Sequence, residues 1–172
     1  VKEVKIEVLV DKAQKQKVIK ALVETHPYEE VAYELVQLHN ANQELGAGMI
    51  GDLPHPMDEQ AFMHHIKTNM KVPCIRHTLF LGKVVRKIAI CGGSGSFLLK
   101  DAIRLGADAF ITADFKYHQF FDADGKILIA DIGHYESEQF TGEIFRGIIN
   151  KKFPNFATLL SSLSTNPVNY YY

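Results

Sequence analysis

Residues 84–91 read VVRKIAIC, a nearly continuous apolar run that ends directly on Gly92-Gly93-Ser94-Gly95-Ser96. A strand apolar on both faces must be covered on both sides, which places it inside a mostly parallel sheet flanked by helices. The pattern downstream agrees. A helix is expected over residues 96–105, with Gly106 as its left-handed terminator. A strand follows at 109–112, a short helix at 117–121 and another strand at 126–131. A longer helix at 136–150 is expected to bury Phe140, Ile144, Ile148 and Ile149, and a last strand to occupy 156–163.

Upstream the periodicity changes. Val4, Ile6, Val8 and Val10 alternate with polar residues, as in a strand with one buried face. Asp11 and Gln14 suit a capping box, and Val18, Ile19, Leu22 and Val23 form the apolar stripe of a helix that Pro27 ends. Residues 31–38 read as the next strand, and Met49-Ile50 as a short extended piece among glycines. Asp58 can cap a helix with Phe62, Met63 and Ile66 on its apolar side, and residues 74–81 read as a further strand. This order is the ferredoxin-like βαββαβ arrangement over residues 1–82. An α/β chain of two modules, 1–82 and 83–172, is therefore expected, divided near Gly82.

Composition narrows the function classes. With 47% hydrophobic residues the chain can bury a core, and 19 basic against 20 acidic residues leave a net charge of −1. No basic stripe with interleaved aromatics invites nucleic acid, and no apolar stretch is long enough to span a bilayer. Cys74 and Cys91 lack CxxC spacing, so reduced, buried thiols in a cytoplasmic protein are expected. The first residue is Val1 rather than methionine. A processed chain or a piece of a longer one is expected.

In an open α/β sheet, ligands bind beyond the carboxyl ends of the strands. That rule selects three loops: Gly92 to Ser96, Asp114 to His118, and Asp131 to Glu138. The glycine loop, with Gly93, Ser94 and Gly95, is either a tight turn or a phosphate contact at a helix start. His134 and Glu138 are four residues apart, so both side chains project from one helix face. An imidazole and a carboxylate so placed suit Zn, Mn or Fe, although a cap or a surface hydrogen bond has the same spacing. Asp114, His118 and Asp131 share the edge and are candidates to complete or support the site. Asp114 is equally suited to cap the short helix, and Lys116 to bind an anion or face solvent. His64-His65 looks metal-like, but it lies beside Lys67 on the polar side of an amphipathic helix. A solvated face is expected there, and His26 is a turn feature or part of a subunit contact.

The run from Gly92 to Glu138, GGSGSFLLKDAIRLGADAFITADFKYHQFFDADGKILIADIGHYESE, resembles the C-terminal half of the NIF-three-like family, also known as GTP cyclohydrolase 1 type 2 homologues. Ser164-Thr165-Asn166-Pro167 and the tyrosines after it resemble the end of that family. HPYEEVAYELVQL and GAGMIGDL resemble the PII-like or CutA-like module that longer bacterial members carry as an insertion. The resemblance implies a two-metal site in a toroidal homohexamer and a metal-dependent hydrolytic role on a nucleotide-like substrate. His134 and Glu138 match two of its ligands. The other ligands belong to a His-His-Pro element and an acidic residue of an N-terminal half that this sequence does not contain. His64-His65 is followed by Ile66, so ligand status does not carry to it. A C-terminal fragment is expected, which by itself does not complete a dinuclear site. The competing expectation is a non-enzymatic oligomeric assembly or regulatory protein with a structural metal.

Overall fold

Alternation along the central strands decides the architecture. In Ala109–Ala113, Ala109 and Ile111 point to one face and Phe110 to the other; in Leu128–Asp131, Leu128 and Ala130 oppose Ile129. Both faces are apolar, so both are covered. The computed structural model describes residues 2, 4–40 and 45–171; Val1 and Tyr172, at the two ends of the sequence, lie outside the described residues. The chain divides into two compact units, Val1–Ala41 and Asn42–Tyr172.

The larger unit is built on a five-stranded sheet of order β1-β3-β4-β5-β2. Its strands are β1 (Met49–Asp58), β2 (Arg76–His77), β3 (Val84–Ser94), β4 (Ala109–Ala113) and β5 (Leu128–Asp131). The three central strands are parallel and the two edge strands antiparallel to their neighbours. On one face helix α2 (Glu59–Asn69) sets Phe62 and Ile66 against Val85, Leu128, Ala130 and Ile132. On the other, Leu99 and Ala102 of α3 (Leu99–Arg104) join Cys91, Phe110, Phe115, Ile127 and Ile129. The expected α/β class with a mostly parallel sheet is the observed one.

Several local signals act as expected. Asp58 Oδ1 accepts the Ala61 N–H at 2.8 Å and starts α2. A 3-10 turn at Ser96–Leu98 runs into α3, and Gly106, with φ +74°, terminates it. There the Ala107 N–H reaches the Ala102 carbonyl at 3.0 Å. No helix among the described residues is long and apolar enough to cross a membrane.

The division near Gly82 does not hold. Strands β1 and β2 fall within residues 1–82 yet belong to the same sheet as β3–β5, with Met49 opposite Ile90 and Arg76 opposite Asp131. Gly82 is itself held to α2, because the buried Glu59 carboxylate accepts the N–H groups of Leu81 (2.9 Å) and Gly82 (2.8 Å). The expected strand over 74–81 shortens to the two residues of β2. The extended piece at Met49-Ile50 lengthens to ten residues because β3 offers it an edge.

In the smaller unit, α1 (Lys15–Thr25) follows a 3-10 turn at Lys12–Gln14. The Asp11 capping box is replaced by a backbone bond, the Gln14 N–H donating to the Asp11 carbonyl at 2.8 Å. That bond satisfies a donor the side chain would otherwise have served. His26, extended before Pro27, accepts the Tyr28 N–H on Nδ1 at 3.1 Å, which makes it a turn feature. The described residues of 4–10 and 31–38 form no ladder, and Val4, Ile6 and Val8 are exposed. Alternation makes a strand only where an edge can pair with it.

Near the C-terminus, the helix expected over 136–150 is two helices, α4 (His134–Glu138) and α5 (Thr141–Lys152), and residues 156–163 form no strand. The stripe on α5 is not buried: Ile144 is 61% and Ile148 57% exposed. An amphipathic stripe records a demand for cover, and no described element meets it.

Candidate functional site

Because β3, β4 and β5 are parallel, their carboxyl ends meet at one edge. Ser94 pairs with Ala113, and Thr112 with Asp131, which brings the three selected loops side by side. Helix α4 starts there, after Gly133, and presents His134 and Glu138 on one face. Their Nε2 and Oε2 atoms lie 3.6 Å apart. Asp114, whose left-handed backbone (φ +58°) turns the chain out of β4, sets its Oδ2 2.6 Å from His134 Nδ1. A carboxylate only accepts, so Nδ1–H donates to it and the Nε2 lone pair is left for a ligand. That hydrogen bond raises the His134 pKa above its ordinary 6.5. The charges of Asp114 and Glu138 add to the rise, and partial desolvation opposes it.

Gly93 forms the floor. A Cβ there would fall 2.8 Å from Glu138 Oε1 and 3.3 Å from His134 Nε2, and its φ of +63° is left-handed. The glycine keeps open the space between imidazole and carboxylate. Its N–H donates to Ser137 Oγ at 2.8 Å, and Ser137 Oγ–H donates to the His134 carbonyl at 2.8 Å. At Gly95 a Cβ would strike Thr112 Oγ1 and Cys91. The Gly93 amide is spent inside the fold, and Ser94 is an exposed residue of the β3–β4 ladder.

Asp131 is 3% exposed and ties the edge together. Its Oδ2 accepts the Phe115 N–H at 2.9 Å and pairs with the Arg76 guanidinium, and its Oδ1 accepts the Gly133 N–H at 3.1 Å. It fixes the loops carrying Asp114 and His134. It is fully engaged in doing so. Lys116 and His118 are exposed, the His118 ring standing edge-on to Tyr117 with centroids 5.1 Å apart. Among the described residues no hydrogen bond joins His118 to His134 or Glu138. His64 and His65 are exposed on α2, as a solvated face requires.

Two contributors were missed by sequence reasoning. Ser137 lay within reach of it, three residues after His134 and on the same helical turn. Arg76 did not, because only the pairing of β2 with β5 brings it to Asp131. Asp114, His134, Glu138 and Arg76 line a cleft of about 920 Å³, closed on another side by residues of the C-terminal segment.

The donor set fits part of a metal site. His134 Nε2 and the Glu138 carboxylate face a space that Gly93 leaves free, and the Asp114–His134 bond is the outer-shell contact that orients a ligating imidazole. Two donors are fewer than the three or four that hold Zn tightly. No group of three or more His, Cys, Asp or Glu among the described residues is arranged to hold an ion.

The family described as Duf34/NIF3 (NGG1p interacting factor 3) matches residues 6–167. A GTP cyclohydrolase 1 type 2 homolog of Halalkalibacterium halodurans is 37% identical over 175 residues, covering 99% of this chain and 47% of the relative. The homolog of Bacillus subtilis is 31% identical over the same shares. A solved structure of a Bacillus cereus protein related to NIF3 is similar, with a TM-score of 0.76 and 34% identity across 94% of this chain and 46% of that one. The chain spans about half the length of the curated relatives it matches. A family match over residues 6–167, together with a relative 37% identical across 99% of the chain, makes this chain a member of the Duf34/NIF3 family.

Proposed function

We propose that this chain supplies one metal-binding portion of a metal-dependent hydrolase acting on a nucleotide-like substrate. The observation that carries the reading is the Asp114–His134–Glu138 arrangement above the bare floor of Gly93. The names of the relatives, GTP cyclohydrolase 1 type 2 homologs, support it. His134 and Glu138 would each give one donor to Zn, Mn or Fe, with further donors, and a second ion, coming from outside the described residues. A bound divalent metal lowers the pKa of its water and polarises the bond attacked. Asp114 keeps the imidazole in the ligating tautomer. Lys116, exposed on the neighbouring loop, would meet an anionic group of the substrate, and Arg76 holds the loops through Asp131. GTP turnover by the natural full-length protein, with and without a chelator, tests the reading. Chelator-sensitive turnover is expected. Metal-independent turnover, or none with any nucleotide, would sink it.

Assembly belongs to the same reading. The exposed stripe of α5 (Ile144, Phe145, Ile148) and the exposed Val4, Ile6 and Val8 are apolar surfaces that association would cover. We infer a cytoplasmic homo-oligomer, hexameric in the full-length protein. These same faces favour the non-enzymatic alternative, an oligomeric regulatory or assembly protein in which the metal is structural. Gel filtration with light scattering should give a mass of several protomers. A monodisperse monomer at high concentration would count against both assembly readings.

A further inference from the structure

After α5 the described residues have no regular secondary structure, yet their course past the cleft is fixed by a buried group. Glu136 lies on α4 between His134 and Glu138 and is 5% exposed. Its Oε1 accepts hydrogen bonds from Asn166 Nδ2 at 3.2 Å and from the Tyr170 hydroxyl at 3.1 Å. Asn166 is itself oriented, because its Oδ1 accepts the Val168 N–H at 3.1 Å. The helix that carries the two candidate ligands therefore also carries the anchor of the C-terminal segment. Leu160, Ser161, Leu163 and Thr165 of that segment line the cleft that Cys74 and His134 line as well.

We propose that residues 160–170 form a latched wall limiting the size of ligand that reaches His134 and Glu138. Asn166 and Tyr170 are the latch, and Glu136 is the positioning residue. A buried carboxylate is costly unless its acceptors are used, so the segment and Glu136 hold each other in place. The wall's hydroxyl groups at Ser161 and Thr165 suit a polar, hydroxyl-bearing ligand. The wall uses no metal, so it stands or falls separately from the hydrolase reading.

The two cysteines provide the test. Cys74 lines the cleft and is half-buried. Cys91 is buried, so it serves as an internal control shielded from both reagents. The chain is treated with a small reagent, methyl methanethiosulfonate, and a bulky one, fluorescein maleimide, and each cysteine is quantified by mass spectrometry. In the Asn166→Ala/Tyr170→Phe variant, bulky labelling of Cys74 should rise about tenfold or more, the effect of losing hydrogen bonds to a charged acceptor. Small-reagent labelling should change far less. Glu136→Ala should reproduce the effect, whereas Glu136→Gln, which keeps an oxygen acceptor, should behave like the parent. Should Glu136→Ala fail to fold by circular dichroism, the tail variant decides alone. Unchanged bulky labelling in the tail variant, or equal acceleration with both reagents, would overturn the wall.

Discussion

Replacing His134 or Glu138 with alanine in the natural full-length protein should remove most of its bound divalent metal and all metal-dependent turnover. Changing an outer-shell partner costs about 10–100-fold in metal affinity, and losing a donor outright should cost more. Asp114→Asn should fall in that outer-shell range, because Nδ1 loses its charged acceptor while Nε2 survives. His64→Ala and His65→Ala should retain parent metal content, since both side chains face solvent on α2. Elemental analysis of the purified variants reads all five. Full metal in the His134 variant, or metal lost with His64, would refute the assignment. Acidity gives a second reading of the same contact. In the metal-free parent the His134 pKa lies above 6.5 because the protonated ring is held by Asp114. The pair therefore stabilises the fold fully below about pH 6.5, the unfolded value, and that contribution disappears as pH rises through the folded value. With both side chains about half exposed, the contribution is small. An NMR titration of the ring should show the raised pKa in the parent and a lower one in Asp114→Asn.

The site was legible in proportion to how local it is. His134 and Glu138 announce themselves by helical spacing, and the loops by their place after apolar strands. The rule that ligands gather at one sheet edge joins Asp114 to them. Asp131 was legible only as a neighbour: its work is to accept three donors from separate segments, and two of these depend on strand pairing. The limits of the fold reading have the same origin. Val4, Ile6 and Val8 alternate as a strand should, and Ile144 and Ile148 recur as a buried stripe should. Both patterns state what the residues require from a partner, not where the partner lies. The segments whose partners are among the described residues, such as β3 with β4, took the structure their periodicity implied.

The supposed boundary at Gly82 is where this distinction can be measured. Phe62 belongs to the region read as a separate module, yet it is 1% exposed and packs with Ile66 against Val85, Leu128, Ala130 and Ile132. Phe62→Ala should therefore cost about 3–5 kcal/mol, the usual range for emptying a buried aromatic site. For a unit of this size that lowers Tm by roughly 10 °C or more. The whole sheet should feel the loss. Hydrogen exchange should show protection falling together in β3, β4 and β5, because these strands share one core with α2. Were residues 1–82 an independent module, Phe62→Ala would instead melt it alone and spare the strands beyond Gly82. The clamp of Glu59 on the Leu81 and Gly82 N–H groups argues against that outcome, since it couples the start of α2 to the strand entering β3. Unaltered protection in Ala109–Ala113 and Leu128–Asp131 would restore the boundary and remove the single core.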